Sequence, residues 1–128
     1  MEWLERDKSQ NRTEFDGEVI LQLEDYKGKK RVQFKFRKNS ANKILGNDDY
    51  VVVARDGDCI YFKESDKKKG FKLSAYGVGT RIFKVLQERF PLSEKQMGEY
   101  NLEFDSRFGL HYISLRRKLE KTLSWEGK

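Results

Sequence analysis

The sequence is poor in the residues that most often build disulfides, metal centres and catalytic groups. In 128 residues it contains one cysteine, Cys59, and one histidine, His111. A lone cysteine excludes an internal disulfide and agrees with a reducing compartment, and one histidine with one cysteine cannot supply a zinc site. His111 falls in an expected strand, where a packing or surface role is favoured over nucleophilic catalysis. The sequence therefore predicts a non-enzymatic protein that needs no metal or other cofactor.

Long hydrophobic runs are absent as well. No apolar run approaches the roughly 20 residues of a membrane span, and the N-terminal sequence MEWLERDKSQ is too charged for a secretory signal. We therefore expect no membrane partner and a cytoplasmic location. Hydrophobic residues make up 37 % of the chain and aromatic residues 13 %, which suffices for one packed domain despite 38 % charged residues.

Positive charge is concentrated in one stretch of the chain. Residues 27–47 contain eight Lys or Arg and no Asp or Glu, whereas the other 107 residues hold 19 basic and 21 acidic side chains. The two parts contribute +8 and −2 to the net charge of +6. A block of like charge without counter-charge repels itself, which favours a role in binding an anionic partner.

The local pattern of the basic stretch predicts a strand followed by a short helix. In residues 31–37 three apolar residues alternate with polar or basic ones, so a strand would place the apolar set on one face and the cations on the other. Asn39 and Ser40 are typical helix N-caps, and the helical pattern over residues 41–45 ends at Gly46. A half-buried strand with a positive outer face would thus lead into a basic helix.

Two hairpins are predicted in the first half. Residues 18–24 alternate apolar with polar side chains and would pair with residues 31–37 across a turn centred on a glycine. Residues 50–54 and 59–63 are rich in β-branched and aromatic side chains and flank an Asp-Gly pair, which is a strong hairpin signal.

The second half of the chain predicts the same order of elements. We expect a short strand over residues 71–74, a helix over 81–90 with Thr80 as its N-cap, and a hairpin of strands 100–104 and 110–115. Each half is too small to bury its own apolar face, so two repeats would share one core. The predicted organisation is a flexible arm over 1–17, a first repeat over 18–64, a linker over 65–70, a second repeat over 71–115 and a helical tail over 116–128.

The first repeat resembles a known family. Its motifs RVQFKF at residues 31–36, ANKILG at 41–46 and DYVVVARDGDCIYFK at 49–63 resemble the swapped-hairpin domain of AbrB-type transcription factors. In that family two chains each contribute a basic strand, a one-turn helix and a hairpin, which interleave into one DNA-binding barrel. The resemblance implies a single-chain pseudo-dimer whose fold is α+β but mostly β, an AbrB-like swapped hairpin or small barrel built from two strand-helix-hairpin repeats.

Two parts of the sequence are candidates for binding nucleic acid. Cations of the basic stretch would contact phosphates, and its Gln33 and Asn39 would contact base edges. The Gly-rich turn at residues 77–81, expected to open the second helix, would hold a phosphate beside two further cations. The alternatives are a solvated strand face and an ordinary turn. The candidate residues are Lys29, Lys30, Arg31, Gln33, Lys35, Arg37, Lys38, Asn39, Lys43, Arg81 and Lys84.

Two other groups of residues have simpler explanations. The carboxylates at residues 48–49 and 56–58 would suit a Mg²⁺-dependent nuclease, but helix-start and turn chemistry explains them without a metal and is favoured. Aromatic residues of the second half would stack on single-stranded bases if they were exposed, although most aromatic residues in strands are core. These residues are Phe104, Phe108, Tyr112 and Trp125.

Two functions follow from these patterns. The first is a non-enzymatic nucleic-acid-binding protein of the transcription-regulator type, with DNA favoured over RNA as the partner and a monomeric or homodimeric state. The second is an inhibitor that docks on a large nucleic-acid-processing enzyme, as phage anti-defence proteins such as anti-CRISPR proteins do. In either case the basic strand and helix would form the contact surface.

Overall fold

Antiparallel strands make up most of the computed structural model, which describes residues 17–46 and 48–120. The elements are β1 (Val19–Tyr26), β2 (Lys29–Arg37), α1 (Lys38–Ile44), β3 (Tyr50–Asp56), β4 (Cys59–Ser65), β5 (Phe71–Lys72), β6 (Ser74–Ala75), β7 (Thr80–Leu86), β8 (Gly98–Tyr100), β9 (Glu103–Asp105) and β10 (Leu110–Ser114), with 3₁₀ turns at Glu94–Gln96 and Leu115–Arg117. The prediction of a mostly β fold is confirmed. Within the described ranges, no helix is long and apolar enough to cross a membrane.

Both hairpins predicted in the first half are present. β1 pairs with β2 along its whole length, and Lys27 and Gly28 close the hairpin with φ angles of 51° and 83°. Two consecutive left-handed residues form the type I′ turn that matches the twist of the flanking strands. β3 pairs with β4 in the same way, and Gly57, at φ 64°, lies in the two-residue loop between Asp56 and Cys59.

The two halves of the chain share two five-stranded sheets. The first sheet has the strand order β6-β7-β2-β1-β8 and the second β5-β3-β4-β10-β9. Each sheet therefore contains strands from both sides of residues 65–70. Only Leu73 separates β5 from β6, and only residues 101–102 separate β8 from β9, so the chain passes from one sheet to the other at both edges.

Aromatic side chains of both sheets form the core between them. Phe34 and Phe36 on β2 are fully buried. The ring of Phe34 stacks on Phe83 of β7 at 4.6 Å between centroids, and Phe62 of β4 packs edge-on against Phe34 and Phe36 at 5.9 and 5.1 Å. These contacts join the two sheets because Phe62 belongs to the second sheet and the other rings to the first.

The prediction of a helix over residues 81–90 is wrong, because Thr80–Leu86 forms strand β7. β7 pairs with residues 31–37 of β2, on the side of β2 that β1 leaves open. Ile82 faces outwards and Phe83 faces the core, yet both are at least nine-tenths buried. Apolar residues on both faces of a strand imitate helical spacing in the sequence. The second repeat thus lacks its predicted helix, and the residue expected as an N-cap is the first residue of a strand.

The short helix of the first half is present but begins earlier than predicted. α1 spans Lys38–Ile44, and its N-cap is Arg37, which makes no capping bond through its side chain. Ser40 lies inside the helix, where its Oγ donates to Oε2 of Glu18 at 3.0 Å. The predicted succession of strand, short helix and hairpin is nevertheless present as β2, α1, β3 and β4.

Most of the two predicted tails falls outside the described residues. Of the arm predicted over 1–17 only Gly17 is described, and of the helical tail predicted over 116–128 only residues 116–120. Trp125 therefore falls outside the described residues. Leu119 forms a bridge with Glu99 of β8, which extends the edge of the first sheet.

Candidate nucleic-acid interface

The side chains of β2 alternate between the core and the outer face of the first sheet, as the sequence predicts. Val32, Phe34 and Phe36 are fully buried on the inner side. The side chains between them face outwards, but β2 is the central strand, with β7 on one side and β1 on the other. Gln33 is therefore buried, and its Nε2 donates to Oε1 of Gln22 at 3.0 Å. The outer face is less exposed than the sequence pattern implies.

At the hairpin end of β2, carboxylates of β1 offset the predicted cations, Glu24 on the outer face and Asp25 on the opposite face. Glu24 lies opposite Arg31 in the register and forms an ion pair with it, and Oε2 of Glu24 is 3.3 Å from Nζ of Lys84. Asp25 is 3.4 Å from Nζ of Lys30. We call Lys30, Arg31 and Lys84, with these two carboxylates, the balanced end of β2. Three of the candidate cations thus have counter-charges close by in space, because Glu24 and Asp25, which precede the basic stretch in the sequence, pair with them in the folded chain.

The other end of β2 carries Lys35 and Arg37, and Lys38 follows them as the first residue of α1. Nζ of Lys35 lies 5.0 Å from the ring centroid of Tyr76, and Nε of Arg37 donates to the backbone oxygen of Gly17 at 2.8 Å. Lys38 and the neighbouring Asn39 are exposed in the first turn of α1. In the part of the chain that the structure describes, no carboxylate forms an ion pair with Lys35 or Lys38.

Lys35, Arg37, Lys38 and Asn39 line an open groove of about 1630 Å³ over the outer face of the first sheet. We call it the sheet groove. One wall, the cationic wall, consists of Lys35, Arg37, Lys38 and Asn39, and the turn at residues 76–80 lies beside it. Across the strands, at the edge formed by β8 and Leu119, lies the acidic wall, which consists of the exposed Glu94 and Glu120 and of Glu99, a buried residue whose Oε1 accepts from Gly17 N at 3.1 Å. Lys118 also lies on that side, where its Nζ donates to the backbone oxygens of Lys95 and Met97 at 2.8 and 3.2 Å.

A glycine-rich turn holds Tyr76 beside the cationic wall. Tyr76 N donates to Thr80 O at 3.0 Å and Lys38 N donates to Gly79 O at 2.8 Å, so the turn is fixed both to itself and to the start of α1. Gly77 and Gly79 have φ angles of 67° and 81°, in the left-handed region that favours glycine. The phosphate site predicted at residues 77–81 required a helix N-terminus, and the strand found there removes that basis.

The remaining candidates do not line the sheet groove. Arg81 lies opposite Phe36 in the register, hence on the inner side of the sheet, and its NH1 is 3.2 Å from Oδ1 of Asp49. Lys43 on α1 forms an ion pair with Glu18 at 3.3 Å, and Lys29 is exposed at the start of β2. The eleven candidates are therefore divided among several places.

Glu18 is a structural anchor that the sequence analysis did not single out. Its carboxylate accepts from Ser40 Oγ at 3.0 Å, from the backbone N–H of Leu102 at 2.8 Å and from Lys43 Nζ at 3.3 Å. Burial raises the pKa of Glu18, but these donors outweigh burial, and the pKa lies below its ordinary value. Burial together with Lys43 lowers the pKa of nearby His111. Glu18 therefore ties α1 to β1 and to the link between β8 and β9.

A second aromatic group lies on the outer face of the second sheet. The ring of Tyr61 packs against Phe108 and Tyr112, and its hydroxyl donates to Oδ2 of Asp105 at 3.1 Å. Phe108 of this group is 56 % exposed, and so is Phe104, which contacts His111 and lies on the other face of the sheet by its register. Arg107 pairs with Asp105 at 2.9 Å, so the charges around this group are mutually balanced.

Tyr76 is the groove residue that sequence reasoning missed. The only signal is its place before Gly77, in a turn between two strands, and the prediction of a helix after this turn concealed it. Among the described residues, no group of three His, Cys, Asp or Glu side chains is placed to hold a metal ion. The described residues of the groove offer ammonium and guanidinium donors, carboxylates and the aromatic ring of Tyr76.

Comparisons with known proteins do not identify a family. The resemblance to AbrB-type domains depends on the motifs within residues 31–63 alone. No protein-family model matches the chain, and neither a curated protein nor a solved structure matches it significantly.

Proposed function

We propose that this chain is a non-enzymatic nucleic-acid-binding protein and that it contacts phosphates through the cationic wall of the sheet groove. The observation that carries the proposal is the retained charge of Lys35 and Lys38, which line the groove without a carboxylate partner among the described residues. Arg37 and Asn39 lie on the same wall and add further hydrogen-bond donors. An open groove lined on one side by cations is the usual means of following a phosphate backbone.

We expect the balanced end of β2 to contribute less to phosphate binding than the cationic wall does. A phosphate that approached Arg31 or Lys84 would have to compete with Glu24, whose carboxylate serves both cations. Lys30 is in an exposed ion pair, which is worth only about 0 to 1 kcal/mol and can be exchanged for a phosphate. The main contact surface is thus shorter than the basic stretch of the sequence.

A pair of charge-matched variants tests the proposal. We expect the Lys35→Gln, Lys38→Gln double variant to lose most of its affinity for a mixed-sequence oligonucleotide at low salt. The control is Lys67→Gln, Lys68→Gln, which removes the same charge from the exposed turn after β4, outside the groove. Equal affinity of the two double variants would show that net charge, and not the sheet groove, governs binding.

An AbrB-like fold is also part of the proposal. We propose that β2, α1, β3 and β4 form an AbrB-like unit, and the order of these elements supports it. A preference for DNA, a monomeric or homodimeric state and a cytoplasmic location stay predictions from the sequence.

A second candidate function is the inhibition of a nucleic-acid-processing enzyme by docking. It is favoured by Val78, which is wholly exposed at the tip of the turn, and by Tyr76 beside it, which is half exposed. An exposed apolar side chain is a typical protein contact and adds little to phosphate binding. Val78→Ser separates the two functions, since it should weaken docking on an enzyme and leave the affinity for an oligonucleotide unchanged.

A further inference from the structure

The two walls of the sheet groove carry opposite charge. Lys35, Arg37 and Lys38 lie at one side, whereas Glu94 and Glu120 are exposed at the other. Lys118 also lines this side, and its ammonium keeps its charge while it donates to two backbone oxygens, so the two exposed carboxylates leave the acidic wall negative but less charged than the cationic wall. A ligand that spans the groove therefore meets cations on one side and carboxylates on the other.

This polarity distinguishes a single strand of nucleic acid from a duplex. A duplex carries a phosphate backbone along both edges of each of its grooves, so a duplex lying across the sheet groove would bring phosphates against Glu94 and Glu120. Like charges at such a contact oppose binding. A single strand has its phosphates on one side and its bases on the other, and the amino groups of bases are donors that carboxylates accept.

Tyr76 supplies a surface on which a base can stack. Tyr76 is 51 % exposed, and the bonds from Tyr76 N to Thr80 O and from Lys38 N to Gly79 O hold the turn in place. Lys35 lies over this ring at 5.0 Å, so a phosphate at Lys35 and a base at Tyr76 would be within reach of one nucleotide. Stacking of unpaired bases on an aromatic ring is how many proteins bind single strands without sequence preference.

We infer that the sheet groove binds a single strand of nucleic acid in preference to a duplex, with phosphates on the cationic wall and a base stacked on Tyr76. This inference rests on the proposed function, and it names the class of nucleic acid that the groove takes. It assigns Tyr76, Glu94 and Glu120 roles that the basic stretch alone does not suggest.

The first experiment compares single-stranded and duplex probes on the full chain. The probes are mixed-sequence DNA and RNA oligonucleotides of about 20 nucleotides, longer than one such site covers, and the DNA duplex of the same sequence. We expect the single strands to bind at least about tenfold more tightly than the duplex. Equal or tighter binding of the duplex would overturn the inference but leave the proposed function standing. Failure of every probe to bind would overturn both.

The second experiment uses variants with matched controls. Tyr76→Ala should lower single-strand affinity about tenfold, whereas Tyr76→Phe should keep it, because stacking needs the ring and not the hydroxyl. The control is Tyr26→Ala, since Tyr26 is 45 % exposed and also lies under a cation, but outside the groove. An unchanged affinity in Tyr76→Ala would overturn the assignment of the stacking site.

The acidic wall is tested by its own variant. Glu94→Gln, Glu120→Gln removes the like charge that opposes a second backbone, so duplex affinity should rise more than single-strand affinity does. A uniform rise for both probes would mean that the two carboxylates act only through net charge, and it would overturn their role in selectivity.

Discussion

Glu24 lies directly opposite Arg31 in the β1–β2 register, and the two side chains form an ion pair on the outer face of the first sheet. The same carboxylate is 3.3 Å from Nζ of Lys84 on β7. One acidic residue on a neighbouring strand thus offsets two of the cations that were candidates for phosphate contacts. This contact divides β2 into the balanced end and the end that lines the sheet groove.

Removing the carboxylate of Glu24 should extend the nucleic-acid-binding surface along β2. We expect Glu24→Gln to raise the affinity for an oligonucleotide about two- to fivefold, because Arg31 and Lys84 become free to contact phosphates. The matched control is Asp56→Asn, which makes the same charge change on the exposed end of β3. A gain of the same size in both variants, measured in parallel binding titrations, would contradict a specific role for Glu24.

Glu18 should contribute strongly to stability. Glu18→Ala leaves the donors of Ser40, Leu102 and Lys43 without their acceptor, so we expect the free energy of unfolding to fall by about 2 to 3 kcal/mol. The control is Glu88→Ala at an exposed position, expected to change stability by no more than about 0.5 kcal/mol. Urea denaturation of the two variants measures both values, and a small loss for Glu18→Ala would contradict its role as an anchor.

Asp105 should make the free energy of unfolding depend on pH in the acidic range. Hydrogen bonds from the Arg107 side chain lower the pKa of Asp105 from 3.8 to about 2, because they favour its charged form. The unfolded chain therefore binds this proton more readily, and the contribution of Asp105, present above pH 3.8, is lost as the pH falls to about 2. A carboxyl NMR titration measures the midpoint directly. We expect Arg107→Gln to move it upwards, and a midpoint near 3.8 in the unmodified protein would contradict the contact.

Phe34 should be one of the most costly core positions. Its ring is fully buried and contacts rings of both sheets, so Phe34→Ala should lower the free energy of unfolding by about 3 to 5 kcal/mol. Phe108→Ala, which truncates a ring that is 56 % exposed, is the control and should cost clearly less. Similar losses in denaturant titrations would contradict the placement of the core between the sheets.

The local features of this fold can be predicted from the sequence. Alternation in residues 31–37 and the Asp-Gly pair before Cys59 correctly give β2 and the β3–β4 hairpin, because period two and turn chemistry are properties of neighbouring residues. The pairing of Glu24 with Arg31 could also be predicted from the sequence once the turn is placed correctly. A two-residue turn at Lys27 and Gly28 determines the register, but a turn placed only within residues 25–30 leaves the register open.

The non-local features could not be predicted in this way. β7 is a strand because β2 leaves one side open for pairing and because both faces of β7 are covered, and neither fact is visible in residues 80–90 alone. The acidic wall comes from Glu94, Glu99 and Glu120, which are distant from β1 in the sequence and come to line one groove with it only in the folded chain. The sheet groove and the position of Tyr76 follow from these pairings.

The salt dependence of binding tests the central claim most directly. Each phosphate contact contributes a slope of about −0.7 to −0.9 in a plot of log K against log salt concentration, so about three contacts on the cationic wall predict a slope of about −2 to −3. We expect Lys35→Gln, Lys38→Gln to reduce the slope to about −1, while Lys67→Gln, Lys68→Gln keeps the full slope. Equal slopes in both double variants would contradict binding through the sheet groove.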